Sequence, residues 1–287
     1  MVQGPSCPQV AISTISHCHV SLYRYGFHGT SHQYVVGKVG SCLWPGARLV
    51  SCHLGAGCSL AAARVGEGTS RDTSMGFSPL SGLMMGTRAG DVDPSVLTYI
   101  SRQLELSPDQ VINHLNHHSG FLGIAGTSDS RLTFISLTFN IYYFLLTTPR
   151  ELEAQYLEGD SQAGLAVEMF CYNVAKTIAS YTVPLAGLDA IVFTGGIGEK
   201  SFIKRRKIAG KIKTDKKYFH VNCLMYSLYL EYLSALGVSL DTELNNINGS
   251  SSFGKISSSD SKVSVFVIKT DEELMIAKQV SKLFSKT

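Results

Sequence analysis

Charge is scarce in this 287-residue chain: Asp, Glu, Lys and Arg make up 16% of it, against roughly a quarter in ordinary globular domains. That scarcity excludes a disordered polyelectrolyte, and 44% apolar residues are enough to fill the core of one large or two ordinary domains. Cysteine pairs at metal-ligand spacing are missing. The seven cysteines, Cys7, Cys18, Cys42, Cys52, Cys58, Cys171 and Cys223, are odd in number and read as reduced thiols of a cytosolic protein, not as a disulfide framework. Residues 1–16 lack the charged start and apolar centre of a secretory signal. The uncharged run 132–148 holds Ser, Asn and several Thr and falls short of the ~20 residues of a membrane span, so a buried or extraneous segment is expected. The formal charge of +3 is local, because nine Lys or Arg and one Asp fall within 200–217 and leave sixteen basic against twenty-one acidic residues elsewhere. No aromatic stacking pattern or basic helix face accompanies that run, and neither nucleic acid nor membrane is expected as a partner.

What the chain does have is glycine set among His, Arg and hydroxyl residues in four dense blocks: RYGFHGTSH at 24–32, SCHLGAGCS at 51–59, MGTRAGD at 85–91 and FTGGIGEKS at 193–201. Such blocks suit backbone loops that hold phosphate. The last is not a Walker A loop, since Glu199 separates Gly198 from Lys200. Residues before 48 read as irregular. A strand over 48–52 enters the HLGAG turn and an antiparallel strand over 59–64 returns from it. Asp93-Pro94 opens a helix through Leu104, and Ser107-Pro108 another through Leu115. Ala166, Phe170, Val174 and Ile178 recur every four residues, with Leu165, Met169 and Tyr172 on an adjoining stripe, which predicts an amphipathic helix from Ser161 to near Pro184. A short buried strand over 190–193, a turn over 194–199, a flexible Ser-rich loop over 245–262, a strand over 263–268 and a terminal helix after TDEEL complete the series. Strands alternating with helices, and glycines at strand ends, predict an α/β domain with its ligand at the carboxyl edge of the sheet. The clusters His17-Cys18-His19 and His117-His118 have no partner ligands at metal-site spacing, and the sequon at Asn248 reads as unused.

These blocks, together with DTSMGFSPLSGLMMGTRAGDVDP at 72–94 and TDEELMIA at 270–277, resemble the signatures of the acetate kinase family over most of residues 23–284. The resemblance implies an α/β ribonuclease-H-like (actin-like ATPase) domain, a mixed sheet flanked by helices, as in actin, sugar kinases and heat-shock chaperones. Members of the family close two such halves around a nucleotide cleft. The amino-terminal duplicate domain, which brings a metal- and phosphate-binding Asn/Ser segment, an Arg for the substrate carboxylate and an Asp for transfer, has no counterpart in this sequence. On this reading residues 1–20 are a non-family leader, 21–271 the nucleotide-binding domain and 272–287 a carboxyl-terminal helix. Abnormal insertions near 132–150 and 207–229 have the composition of translated intron.

The activity the resemblance implies is reversible transfer of the ATP γ-phosphate to acetate, giving acetyl phosphate and ADP, with Mg2+, in a cytoplasmic homodimer. Truncation would impair it, and the alternatives are a catalytically inactive nucleotide-binding fragment or a propionate or butyrate kinase. His28 and Arg88 match the family's transition-state stabilisers, a histidine donor able to carry charge near neutral pH and a fixed fork of guanidinium donors, with Asp91 orienting Arg88 by an ion pair. His53 matches a further active-site histidine, and Leu54, Gly55, Ala56 and Gly57 the first nucleotide loop. Asp129, Ser130 and Arg131 match a loop at the adenosine side, Arg131 stacking on the base. Gly195, Gly196, Ile197, Gly198 and Glu199 match the second nucleotide loop, over ribose and α-phosphate, and Glu272 matches the magnesium-associated acid. The family's HLGNGGS is HLGAGCS here. Losing the Asn at Ala56 removes a hydrogen bond worth roughly 1–2 kcal/mol if buried, and Cys58 is strained if its position needs positive φ.

Overall fold

Two parallel strands carry the domain. Strand β1 (Arg48–Leu54) pairs in parallel with β6 (Ala190–Thr194), Leu49 opposite Ala190 and His53 opposite Thr194. The computed structural model describes residues 24–128, 132–134, 147–149, 151–209 and 232–284. Within them β2 (Cys58–Arg64) returns antiparallel to β1 through the three-residue turn 55–57, and β3 (Ser70–Thr73) pairs antiparallel with β2. On the other side β7 (Ser264–Val267) runs parallel to β6. The order β3-β2-β1-β6-β7 gives the mixed sheet that the family resemblance implies.

Alternation along the strands feeds two cores. Val50, Cys52, Leu54, Ile191 and Phe193 face one, where α6 (Ser161–Ser180) contributes Ala166, Phe170, Val174 and Ile178, all fully buried. Leu49, Ala63, Ala190, Val192 and Phe266 face the other, covered by Val35 and Val39 of α1 (Gly29–Gly40). Helix α1 replaces the irregular start expected before residue 48. Helix α6 ends at Ser180, short of Pro184, and a separate turn of helix, α7 (Thr182–Leu185), holds the proline in its interior. Its expected stripe splits: Leu165, Met169 and Tyr172 are exposed.

At the amino ends of β1 and β6 the pairing is clamped by Arg48 and Asp189. The Arg48 backbone N–H and Nε donate to Asp189 Oδ2 at 2.8 Å each, Nη2 donates to Oδ1 at 2.5 Å, and the Asp189 N–H returns to the Arg48 carbonyl. The carboxyl ends of β1, β6 and β7 meet at the opposite edge. There β1 runs into Gly55–Gly57, β6 into α8 (Gly195–Lys200) and β7 into α11 (Glu272–Phe284).

The remaining helices surround this frame. Asp93 accepts from the Ser95 N–H before α2 (Pro94–Leu104) and the Ser107 hydroxyl from the Gln110 N–H before α3 (Pro108–His117), the caps that their sequences predict, and the Gln110 side chain returns to the Ser107 N–H to complete a capping box. Helix α4 (Gly120–Ala125) and α5 (Glu151–Glu158) pack on α6. Backbone at Leu132–Phe134 (β4) pairs with Thr147–Pro149 (β5); the rest of the two expected insertions lies outside the described residues, save Lys207–Ala209 at the end of α9 (Phe202–Ala209). The Ser-rich stretch 245–262 is a correction: it is not a free loop. It starts in α10 (Thr242–Asn246), bridges Leu240 to Ser257 and Lys255 to Phe266, and buries Asn245 and Ile256. No helix among the described residues is long and apolar enough to cross a membrane.

Helix α9 follows the second glycine block and is anchored by buried charge. Lys204 Nζ lies 2.6 Å from Glu153 Oε1, with both side chains at most 3% exposed, and the Ser201 hydroxyl donates to the same oxygen. Glu153→Ala takes the carboxylate from a buried ammonium and should lower unfolding stability by about 3–5 kcal/mol. Urea denaturation checks it, and a loss under ~1 kcal/mol would show the pair to be solvated.

Candidate functional site

On the α1 side of the sheet the core is apolar as far as Leu49, Ala63 and Val192 and then turns polar at the carboxyl edge. Ser51, His53 and Ser59 occupy the next positions of that face, His53 directly opposite Ser59, and α1 lowers Ser31 and His32 onto them. His28 precedes α1 with φ 57° and ψ 29°, a left-handed backbone that costs about 1–3 kcal/mol unless its surroundings hold it. They do. His28 Nδ1 is 2.8 Å from Ser59 Oγ, and its ring stacks on that of His53 with centroids 4.1 Å apart and planes 13° off parallel. Gly57 closes the other approach, since a Cβ there would stand 3.1 Å from His28 Cε1 and Nε2. His32 bridges Ser51 Oγ (2.9 Å, from Nδ1) and Ser59 Oγ (2.8 Å, from Nε2). His53 Nδ1 is 2.8 Å from Ser31 Oγ, which accepts the Thr270 hydroxyl at 2.8 Å.

Arg88 sits in the MGTRAGD loop, which is docked on the start of α4. The Phe121 N–H donates to Met85 O and Leu122 N–H to Gly86 O, an approach open only because Gly120, at φ +64°, has no Cβ: one would fall 2.1 Å from Met85 O and 2.7 Å from Arg88 O. The expected ion pair with Asp91 does not form. Asp91 Oδ1 instead accepts from the Ser81 hydroxyl and the Gly82 N–H at 2.8 Å each, a local turn lock that takes it away from the guanidinium. Arg88 Nη1 touches Met85 Sδ at 3.6 Å and has no carboxylate partner among the described residues. Its charge reaches His28, where it lowers the imidazole's proton affinity.

The two glycine turns approach each other: a Cβ on Gly55 would lie 3.8 Å from Gly196 N and 3.6 Å from His53 Nε2. Leu54 and Ile197 turn their side chains into the core, leaving only backbone for a ligand, and Ala56 stands exposed at the tip. The expected turn over 194–199 is the short helix α8. Glu199 braces it, Oε1 accepting from the Gly195 N–H (3.1 Å), the Thr194 hydroxyl (3.4 Å) and the Thr270 N–H (3.2 Å). Cys58 corrects the strain expectation: it opens β2 without positive φ, buried, its thiol donating to Gly55 O. Glu272 is half-buried in the first turn of α11, while neighbouring Asp271 takes the capping role by accepting from the Leu274 N–H. Asp129, Ser130 and Arg131 lie outside the described residues.

Arg205, which the sequence did not single out, braces the second glycine turn from within the core. Fully buried, it donates to Gly198 O (2.8 Å), to Asn245 Oδ1 and O (2.9 and 2.8 Å) and to Asn248 Oδ1 (2.6 Å), tying the second glycine turn to the 245–248 arch. Ser31, His32, Ser51, Ser59 and Thr270 were also missed. Their signal was present in the alternation Ser51-x-His53 on one strand face and in the i, i+3, i+4 spacing of His28, Ser31 and His32. A cavity of about 240 Å³ behind the cluster, between α1 and the β2–β3 hairpin, includes His32 but none of residues 55–57 or 195–199, so it stands apart from the two glycine turns. No group of three or more His, Cys, Asp or Glu fit to hold a metal occurs among the described residues.

Burial sets the charge state of the cluster. It pushes His32 down to about 3, helped by His53 and His28, and His53 to about 4, helped by His28. Burial, then Arg88, lowers His28 as well, which corrects the expectation of a histidine charged near neutrality. An unfolded imidazole titrates near ~6.5, so below that pH the unfolded chain binds protons that the folded one refuses. Stability should therefore be complete above ~6.5 and fall with acidification, His32 alone contributing a slope of ~1.4 kcal/mol per pH unit until its folded value is reached. Urea midpoints between neutrality and about pH 5 test this; a flat profile would sink it, and His32→Gln should reduce the slope.

Residues 10–138, 145–215 and 222–278 match the Acetokinase family; the interruptions fall within the two stretches set apart in sequence. The acetate kinase of Carboxydothermus hydrogenoformans is 43% identical over 265 residues, covering 91% of this chain and 56% of that protein. Among solved structures, a propionate kinase from Francisella tularensis subsp. tularensis superposes with a TM-score of 0.70 at 38% identity, over 90% of this chain and 55% of that one. The Porphyromonas gingivalis acetate kinase gives 0.70 at 32% identity, over 92% and 56%. This chain thus spans little more than half the length of the relatives it matches. With the family's signature blocks brought to one sheet edge, and the match running through most of its length, the chain belongs to the Acetokinase family.

Proposed function

We propose that this chain forms one wall of an acetate kinase cleft, holding ATP and stabilising the phosphoryl group in transit to acetate. The observation that carries the reading is the convergence at one sheet edge of His28 and His53, stacked at 4.1 Å, with two glycine turns. An arginine without a carboxylate partner among the described residues stands close enough to bias His28. In the reaction an acetate oxygen attacks the γ-phosphorus, the bond from that phosphorus to the β–γ bridging oxygen breaks, and ADP departs with the electron pair. Charge then spreads over three equatorial oxygens. Arg88 supplies the positive charge those oxygens require, and His28 a hydrogen-bond donor that does not need to be charged. Backbone N–H groups at 55–57 and 195–198 suit the phosphate tail, with Glu199 and Arg205 fixing the second turn.

Magnesium fits as an ion carried mainly by nucleotide phosphates, with one protein carboxylate. Glu272 answers that description, since among the described residues its carboxylate enters no hydrogen bond or ion pair. When bound, the ion neutralises the β- and γ-phosphates. The four described cysteines are free thiols, in keeping with a cytoplasmic protein, and the exposed stripe Leu165, Met169 and Tyr172 suits a homodimer contact. Because the relatives are nearly twice as long, the second form of the reading is nucleotide binding without turnover. The likeness to a propionate kinase makes propionate the second acid to try.

Two measurements separate these forms. Chain incubated with ATP, magnesium and acetate, propionate or butyrate and trapped with hydroxylamine should give the acyl hydroxamate if the wall is sufficient. A thermal shift with ADP and no hydroxamate leaves the binding form, and neither signal refutes both. Where turnover is seen, His28→Ala and Arg88→Ala should each lower kcat about 10²–10³-fold. Ala56→Asn should tighten ADP by about 0.5–1.5 kcal/mol, less than for a buried bond because the site is exposed.

A further inference from the structure

The histidine cluster contains two chains of hydrogen bonds that can be followed proton by proton. In the first, Ser51 Oγ, His32, Ser59 Oγ and His28 are linked in series at 2.8–2.9 Å. In the second, Thr270, Ser31 and His53 are linked at 2.8 Å each. Ser31, Ser51 and Ser59 have no solvent exposure and His32 has 5%, so the protein alone must satisfy their hydrogens. A hydroxyl has one hydrogen to give, and an uncharged imidazole has one N–H and one lone pair.

Those counts fix a direction. If His32 gave its Nδ1 hydrogen to Ser51, the Ser51 hydroxyl hydrogen would have no acceptor, because that side chain is closed to solvent and His32 is its one hydrogen-bond partner among the described residues. With Ser51 donating to His32 Nδ1, every hydrogen in the series is used. His32 Nε2–H donates to Ser59, and Ser59 donates to His28 Nδ1 at 2.8 Å in preference to Phe27 O at 3.4 Å. In the second chain Thr270 donates to Ser31, whose own hydrogen goes to His53 Nδ1. Both series end in the same way, with the remaining hydrogen on Nε2. Each of these Nε2 atoms lies at the glycine turn, that of His28 by Gly57 and that of His53 by Gly55.

We propose that Ser59 and Ser31 are positioning residues that hold His28 and His53 as Nε2–H tautomers, so that two stacked imidazoles present N–H donors side by side to a phosphoryl oxygen. Chains of this kind polarise along their length, each bond strengthening the next. Burial keeps the rings uncharged at neutral pH, as the counting of hydrogens requires. The ligand named here rests on the functional reading above, whereas the tautomers do not depend on turnover.

The test is a two-bond 1H–15N correlation spectrum of the full chain labelled at histidine, recorded at neutral pH without substrate and assigned with His28→Gln and His53→Gln. Wild-type protein should show Nε2–H at both rings. Ser59→Ala should turn His28 into a tautomer mixture and leave His53 as it was, Ser31→Ala should do the reverse, and Ser59→Thr, which keeps the hydroxyl, should restore His28. An Nδ1–H pattern or an imidazolium at either ring in wild-type protein overturns the proposal, as does a His28 pattern indifferent to Ser59→Ala. Should a serine variant fail to fold, the wild-type spectrum decides alone. A negative hydroxylamine assay would count against the kinase reading and leave this result standing.

Discussion

The parallel pairing of β1 with β6 is the constraint on which the site depends. Its register sets His53 beside Thr194, and from that alignment the two glycine turns emerge at one edge, near enough for Gly55 to face Gly196. A strand slip of one residue would send His53 into the apolar core and Cys52 toward α1. Neither glycine block has any function by itself; what makes a site of them is the ladder that aligns their roots.

How much of this was legible in the sequence depends on where the information was local. The capped helices at Pro94 and Pro108 were read to within two residues because cap and proline act within one turn. The HLGAG hairpin and the strand before FTGGIGE were legible for the same reason. Helix α1 was not. GTSHQYVVGKVG carries three glycines and three valines, poor helix formers, and the helix exists because Val35 and Val39 are buried against the sheet. The 245–262 arch was misread because its order comes from Arg205, forty residues away in sequence, and no pattern of serines reveals a guanidinium waiting behind them.

The site was legible as a set of residues and not as an arrangement. Family signatures named His28, Arg88 and the turns, but the charge state of the histidines is a property of burial. Asp91 looked like the natural partner of Arg88 and is committed to its own turn. Ser59 looked like the first residue of a strand and is the point where His28 and His32 meet. Glu199 reads as a ligand-facing acid in the motif, and its Oε1 accepts three bonds from the protein itself. For the histidines and Ser59 the deciding contacts cross between elements far apart in the chain, whereas Asp91 and most of the Glu199 bonds close a local turn.

The Arg48–Asp189 clamp lies at the opposite ends of the same two strands. Alignment is therefore enforced at the end away from the ligand, by a bidentate pair and two backbone bonds that owe nothing to the turns. Evolution can lengthen, shorten or retype those turns while the frame stays in phase. An architecture fastened at its base and open at its rim can vary its loops without losing the register of the strands that bear them.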